Sequence, residues 1–185
     1  DLEQVRPTAL IAVPRIFERF YARIQQQLEK GSPLRRRLFQ YTVNVGWRRF
    51  EVQQRRASWS PSLLLWSLLR RLVAEKVLAR MGGRLRIAVS GGAALPAPVA
   101  RLFVGLGMPV LQGYGLTETS PVVSVNTLNF NDPASVGPPL PGIELRLGED
   151  SELLVRGPGV MRGYWGDEQA TRQVLTRDRW LHTGD

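Results

Sequence analysis

The sequence predicts an α/β protein: a parallel sheet of strand–helix–strand units with a smaller β-rich portion at the C-terminal end. Three observations carry this. Residues 84–89 alternate as a strand does, residues 95–106 place apolar side chains at helical spacing, and residues 108–111 form a short apolar run. Together they make a βαβ unit, whose handedness and crossover imply parallel strands. A strand-like run at 8–13 leads into a long helical periodicity. Two further strand-like segments, 143–147 and 152–156, flank Gly148-Glu149-Asp150-Ser151 as a hairpin would.

Residues 8–13 read as a buried strand, ended by Pro14, which suits the first turn of a helix. Ile16, Phe17, Phe20, Tyr21, Ile24 and Leu28 then recur at helical spacing until Gly31-Ser32-Pro33. A second helical stretch covers 34–58, with Leu38, Tyr41, Val45 and Phe50 as an imperfect apolar stripe. Ser60-Pro61 forms an N-cap and N1 pair for a third helix running to about Met81, where Gly82-Gly83 follows. Leu64, Leu65, Leu68, Leu72 and Val73 are expected on its inner face. In the βαβ unit, Leu95, Val99, Leu102, Phe103 and Leu106 form one apolar helix face. Residues 129–141 are rich in Asn, Pro and Gly, as a boundary would be. Asp167 is placed to cap a short helix through Leu175. The expected division is an α/β part at 1–134, with a basic helical segment over about 14–81, and a β-rich subdomain at 135–185.

Composition narrows the chemistry. The 185 residues include no cysteine, so disulfides, thiolate metal sites and cysteine nucleophiles are excluded. No signal-peptide pattern opens the chain, and the apolar run at 63–69 is far too short to span a bilayer. A cytoplasmic protein, with peripheral contact at an inner membrane as an option, is the expectation. The net charge of +9 is uneven: residues 1–90 hold 18 Lys/Arg against 6 Asp/Glu, whereas 91–185 hold 7 against 10. The basic half has two readings, solvated helix faces or contact with an anionic membrane or nucleic acid. Trp47, Trp59 and Trp66 among the arginines admit the same pair of readings, core aromatics or an interface.

The least generic stretch is 111–126. After a strand, Gly113 and Gly115 bracket Tyr114, and Thr117, Glu118, Thr119 and Ser120 place three hydroxyls and a carboxylate in four residues. Hydroxyls and backbone N–H groups donate to phosphate oxygens, and a carboxylate is a hard ligand for Mg²⁺. An aromatic ring offers a face to a nucleobase. The same residues also make an ordinary polar turn. Parallel strands bind ligands at their carboxyl ends, and both polar loops, 90–93 and 113–120, are expected there, so one shared site is expected.

Gln112-Gly113-Tyr114-Gly115-Leu116-Thr117-Glu118 closely resembles a signature of the adenylate-forming (AMP-binding) enzymes: acyl-CoA synthetases, peptide-synthetase adenylation domains and luciferase-like ligases. Ser90-Gly91-Gly92-Ala93-Ala94-Leu95 and His182-Thr183-Gly184-Asp185 match two more pieces in the family's order. Residues 13–19, Val-Pro-Arg-Ile-Phe-Glu-Arg, are similar to the equivalent segment of bacterial long-chain fatty acid–CoA ligases.

The resemblance implies ATP-dependent activation of a fatty acid to an acyl-adenylate, then transfer to coenzyme A. ATP, Mg²⁺ and coenzyme A are the implied cofactor and co-substrates. Tyr114 would pack against adenine, Thr117 would bond the α-phosphate and Glu118 would bind Mg²⁺. Gly91, Gly92 and Ala93 would wall the adenine and acyl pocket, with Gln112, Gly113 and Gly115 beside them, and Asp185 would accept from both ribose hydroxyls. His182 would be a positioning residue. The family's phosphate loop and C-terminal domain have no match here, so the chain reads as an internal piece, expected to be inactive alone. An aryl or amino acid substrate, or a non-catalytic basic binding module, are the alternatives; nucleic acid is not an expected partner.

Overall fold

In the computed structural model, which describes residues 2–185, the βαβ unit forms as its sequence requires. Strands β1 (Ala9–Ala12), β2 (Ile87–Ser90) and β3 (Val110–Gly115) lie parallel in that spatial order, and β4 (Val122–Val125) adds antiparallel to β3. A second sheet is wholly antiparallel: β5 (Glu144–Leu147), β6 (Leu153–Arg156) and β7 (Leu181–His182). The helices are α1 (Leu2–Val5), α2 (Pro14–Glu29), α3 (Pro33–Gln53), the short α4 (Trp66–Leu69) and α5 (Glu75–Leu78), α6 (Ala97–Gly105) and α7 (Glu168–Val174).

Pro14 opens α2, and Pro33 opens α3 behind Ser32, whose hydroxyl accepts from the Arg35 amide at 3.3 Å. The Gly31-Ser32-Pro33 stop is therefore also a start. In α6 the expected face is buried in full: Leu95, Val99, Leu102, Phe103 and Leu106 all join the main core. Phe17 of α2 meets Phe103 edge-on at 5.8 Å, the arrangement that ring quadrupoles favour. Burying such a ring contributes about 1.5–3 kcal/mol. Helices α3 and α6 cross so closely that a Cβ on Gly46 would lie 1.8 Å from the Gly105 carbonyl oxygen.

Several expectations change. β1 is an edge strand paired only with β2, and its faces differ: Leu10 and Ala12 pack on the main core while Ile11 points to the other face and is 83% exposed. α3 stops at Gln53, five residues early, with Arg55 at positive φ, and its buried positions are Phe39, Thr42, Val43, Val45, Gly46 and Phe50. Leu38 and Tyr41 turn outward. The third helix is broken: 3₁₀ turns cover Pro61–Leu65 and Ala79–Met81, and a π turn covers Arg70–Ala74. Ser60 caps nothing with its side chain, which bonds Ser62. Its core face is Trp66, Leu69, Ala74 and Met81, leaving Leu64, Leu65, Leu68 and Leu72 exposed. The leucine periodicity fails because the segment is not one continuous α-helix, so a single 3.6-residue period does not set its buried face.

The tryptophans divide. Trp66 is buried and Trp47 half-buried, with Arg49 and Arg101 stacked over them at 5.7 and 5.1 Å, while Trp59 is exposed. The Asn/Pro/Gly-rich stretch is ordered by its own amides. Asn126 donates to the Asp132 and Ser135 carbonyls, Asn131 donates to the Val110 carbonyl, and Leu140 returns to bond Val123.

The small sheet follows the sequence closely. β5 and β6 pair in register through a turn with Asp150 and Ser151 at positive φ, and Asp167 caps α7 by accepting from Ala170 at 2.9 Å. Arg146 and Arg156 lie over Trp180 at 4.4 and 4.7 Å. A second core of Val123, Val155, Val160 and Leu181, with Tyr114 and Leu116 packed against it, joins the two sheets.

Candidate nucleotide site

The site lies at the carboxyl ends of β2 and β3. Strand β2 delivers Ser90, and the following Gly91, Gly92 and Ala93 form an open loop whose backbone is accessible. Gly91 donates to Ala12 of β1, and a Cβ placed on it would sit 3.7 Å from the Gly113 carbonyl oxygen. The two glycine-bearing motifs, 22 positions apart in sequence, are thus neighbours because their strands are parallel. Ser90 is buried with no hydrogen-bond partner for its hydroxyl.

Residues 113–115 are not a loop. They continue β3 and pair with β4, with a register shift at Tyr114/Gly115. Sequence reasoning missed β4, whose Val122–Val125 run is short and preceded by a proline. The need for glycine at 115 follows from this pairing: a Cβ there would lie 1.7 Å from the Pro121 carbonyl oxygen. Gln112 is buried, with Oε1 accepting from the Leu95 amide at 2.8 Å and Nε2 donating to the Pro133 carbonyl at 2.6 Å. Each end of its amide makes one bond to backbone, and the Leu95 bond braces the 93–95 loop.

Past β3 the chain makes one 3₁₀ turn, Thr117–Thr119, and leaves it through Ser120 in the left-handed region at φ 58°. Thr119 is internal: its hydroxyl accepts from the Leu116 amide and bonds the Leu116 and Pro121 carbonyls. Thr117 is exposed, with its hydroxyl unengaged among the described hydrogen bonds. Glu118 is half-buried. Its Oε1 accepts from the Tyr164 hydroxyl at 3.0 Å, and its carbonyl accepts from the Met161 amide at 2.7 Å. That carboxylate, accepting its proton, holds the Tyr164 phenol above its usual range. Tyr164 carries no signal in sequence, since nothing in spacing relates it to Glu118.

Tyr114 is half-buried against the second core, and its hydroxyl donates to Asp185 Oδ2 at 2.5 Å. Burial first, and the bond to Asp185 next, push its phenol up to about 12. Asp185 is positioned from the small sheet. Its carbonyl accepts from the Leu153 amide and its amide bonds the Thr183 hydroxyl, which itself donates to the Leu153 carbonyl. His182 Nδ1 meets Glu152 Oε2 at 2.7 Å, and Glu152 Oε1 accepts from the Gly184 amide at 3.0 Å. His182 therefore acts on the 183–185 turn through Glu152. Those two bonds hold the Glu152 carboxyl below its usual range, the His182 bond most. Glu152 was not anticipated; it lies 30 positions from His182.

The structure thus brings Gly91, Gly113, Tyr114 and Asp185 to one place, with Thr117 and Glu118 one turn beyond β3. A set with one free hydroxyl, on Thr117, and the carboxylates of Glu118 and Asp185 is of a kind that can hold phosphates and a sugar diol without a protein nucleophile. A family model described as "AMP-binding enzyme" matches residues 1–165.

The chain belongs to the AMP-binding enzyme family. It is 40% identical over 183 residues to a long-chain-fatty-acid–CoA ligase (FadD15) of Mycobacterium bovis, covering 97% of this chain and 30% of the relative. It is 34% identical over 220 residues to a probable acyl-activating enzyme 16, chloroplastic, of Arabidopsis thaliana, covering all of this chain and 30% of that one. The fold recurs in a benzoate CoA ligase from Burkholderia xenovorans, with TM-score 0.60 and 21% identity over all of this chain and 29% of that one. A malonyl-CoA ligase solved with methylmalonyl-CoA and AMP gives TM-score 0.57 at 25% identity, covering 96% and 30%. The chain spans about 30% of the length of these curated relatives.

Proposed function

We propose that this chain carries the adenylate-holding part of an ATP-dependent long-chain fatty acid–CoA ligase. The observation that carries the reading is the meeting of Tyr114 and Asp185, delivered from separate sheets beside the Gly91–Gly113 approach. Adenine packs on the exposed part of Tyr114, walled by the backbone of Gly91, Gly92 and Ala93. The ribose diol bonds Asp185, whose Oδ1 is unengaged and whose Oδ2 exchanges its tyrosine donor or shares it. Thr117 donates to the α-phosphate.

The fatty carboxylate attacks the α-phosphorus, pyrophosphate leaves, and the thiol of coenzyme A then displaces AMP from the acyl-adenylate. The protein's part is positioning and neutralising charge on the phosphate. The residues present fit Mg²⁺: Glu118 has one carboxylate oxygen with no partner among the described hydrogen bonds, and Mg²⁺ takes one or two carboxylates with substrate phosphates. When bound there, it would offset phosphate charge. The long-chain substrate is inferred from the curated relatives and from residues 13–19. The division at 134/135 is carried as part of this reading.

Calorimetry on this chain with non-hydrolysable acyl-adenylate mimics of increasing acyl length tests it. Binding that tightens with chain length and is lost in Asp185→Ala supports a long-chain adenylate site. Aryl mimics outcompeting every alkyl one would move the substrate class, and no binding by the folded chain would remove this site from it.

A further inference from the structure

A second cavity lies at the opposite end of the parallel strands from the nucleotide site. It holds about 860 Å³ and opens where Gly107 and Pro109 lead into β3, one strand length, about 17 Å, from Gly115. One wall is a single face of α3, on which Gly46, Arg49, Phe50 and Gln53 recur at helical spacing. The other is the 128–131 loop. Gln54 fixes that loop to the end of α3, donating to the Leu128 carbonyl at 3.0 Å and accepting from the Asn131 amide at 2.9 Å. Arg56 adds a bond to the Asn131 carbonyl at 2.9 Å. The two walls are thus braced by the chain itself.

What the walls carry is unlike a packing surface. Arg49 and Arg55 are in the lining, and no acidic residue is. Neither guanidinium makes an ion pair or a hydrogen bond among the described residues. Arg49 stacks on Trp66 at 5.7 Å, a contact that uses the face of the guanidinium and not its N–H edge. Burial, and then the Arg70 charge, hold the Arg49 pKa below its usual value, so the cation sits where its surroundings disfavour charge. Arg55 takes φ 60° just past α3, the left-handed position that glycine favours, so an arginine is kept there against backbone strain. Asn131 donates from Nδ2 to the Val110 carbonyl at 3.1 Å, while its buried Oδ1 has no partner.

Two cations without acids call for an anion, and an unused acceptor calls for a hydroxyl or amino donor. Two forks of N–H donors suit a phosphate dianion better than a single carboxylate. A bare ion fills only a small part of 860 Å³. Gln53 and Asn129 add amide groups to the walls, and Phe130, 60% exposed, offers an aromatic face. We propose that this cavity binds a phosphorylated sugar or nucleoside, with Arg49 and Arg55 on the phosphate and a ligand hydroxyl donating to Asn131 Oδ1. It shares no residue with the nucleotide site, so it stands apart from the adenylation reading.

Nitrogen-15 NMR of the chain, titrated with ribose 5-phosphate, AMP, inorganic phosphate and ribose, tests this. Ribose 5-phosphate is expected to shift the side-chain signals of Arg49, Asn129 and Asn131 to saturation. Ribose should leave them in place, and inorganic phosphate should bind at least ~10-fold more weakly. Arg55→Gln should weaken ribose 5-phosphate about tenfold with unchanged thermal unfolding, because Arg55 is exposed. Arg49→Gln should abolish it, and Arg55→Gln keeps the result readable should loss of the Trp66 stack unfold the chain. AMP also enters the nucleotide site, so its effect on the cavity signals is read in Asp185→Ala. Tighter binding than ribose 5-phosphate there identifies a nucleoside phosphate, and equal or weaker binding a sugar phosphate. Absence of shifts at the cavity, whether or not Gly91 and Gly113 respond, would overturn the proposal. So would inorganic phosphate binding as tightly as the sugar phosphate, or unchanged affinity in Arg55→Gln, which is unspecific charge.

Discussion

The Tyr114 hydroxyl donates to Asp185 Oδ2 across 71 positions of sequence, joining the last parallel strand to the end of the small sheet. Neither residue reaches the other by local structure. β3 carries Tyr114 to its place, and β6 holds Asp185 through Leu153. The shared core of Val123, Val155, Val160 and Leu181 sets the two sheets' separation, so the contact reports on how well they are docked.

That contact has an alkaline signature. Tyr114 ionises at about 12 rather than 10.0, from burial first and the Asp185 bond next. A folded-state pKa raised above the unfolded one contributes stability that is complete below pH 10.0 and lost as pH rises through about 12. Asp185→Ala should bring the phenol's titration down, yet not to its unfolded value, because burial remains. Phenolate absorbance across the alkaline range checks this, with Tyr114→Phe identifying the signal; no movement in Asp185→Ala would refute the coupling.

As the candidate metal ligand and the residue that orients it, Glu118 and Tyr164 should differ sharply in worth. Glu118→Gln removes the candidate metal ligand and should lower acid-dependent pyrophosphate exchange by about 10²-fold or more in the active ligase. Tyr164→Phe removes one hydrogen bond to that carboxylate and should cost about 2–12-fold. Equal losses would show that Tyr164 does more than orient Glu118.

The parallel sheet and the β5–β6 hairpin were legible because short-range periodicity decides them: Leu95 to Leu106 bury as spaced, and Asp167 caps as placed. The glycine loops and Tyr114 were legible from the βαβ reading, which put both loops at the strands' carboxyl ends, whereas Asp185 was legible only through resemblance, since no local signal ties residue 114 to 185. The reading failed where composition outvoted geometry. Leu64, Leu65, Leu68 and Leu72 outnumber Trp66, but the ring and the interruption at Arg70–Ala74 set the phase of that segment. Gln112 has a structural task the sequence did not signal, its amide accepting from Leu95 and donating to Pro133.

The Glu152–His182 pair should govern acid behaviour of the Asp185 turn. Glu152 has a lowered pKa, chiefly from His182 and then from the Gly184 amide. A depressed carboxylate contributes stability present above its unfolded value near 4.5 and lost as pH falls through the folded one. Glu152→Gln should therefore loosen residues 183–185 at neutral pH much as acid does to the parent chain. Amide hydrogen exchange at Gly184 is the readout: unchanged protection in Glu152→Gln would mean that Thr183 and Leu153 hold the turn unaided.

Gly46 offers the sharpest stability test, because its reason for being glycine is spatial. It sits in the middle of α3, where alanine is intrinsically favoured by roughly 1 kcal/mol. A methyl there would nonetheless meet the Gly105 carbonyl oxygen at 1.8 Å and the Trp66 ring at 2.6 Å. Backbone cannot yield as a flexible side chain does, so α3 and α6 must separate, and overpacking of this kind costs about 1–3 kcal/mol or more. Gly46→Ala should lower the Tm by several degrees despite the better helix former. A serine at half-buried Gly31, whose nearest neighbours lie at 3.2 and 3.3 Å and include the flexible Arg35 side chain, should change it far less. A Gly46→Ala protein as stable as the parent would show that the two helices do not cross this closely.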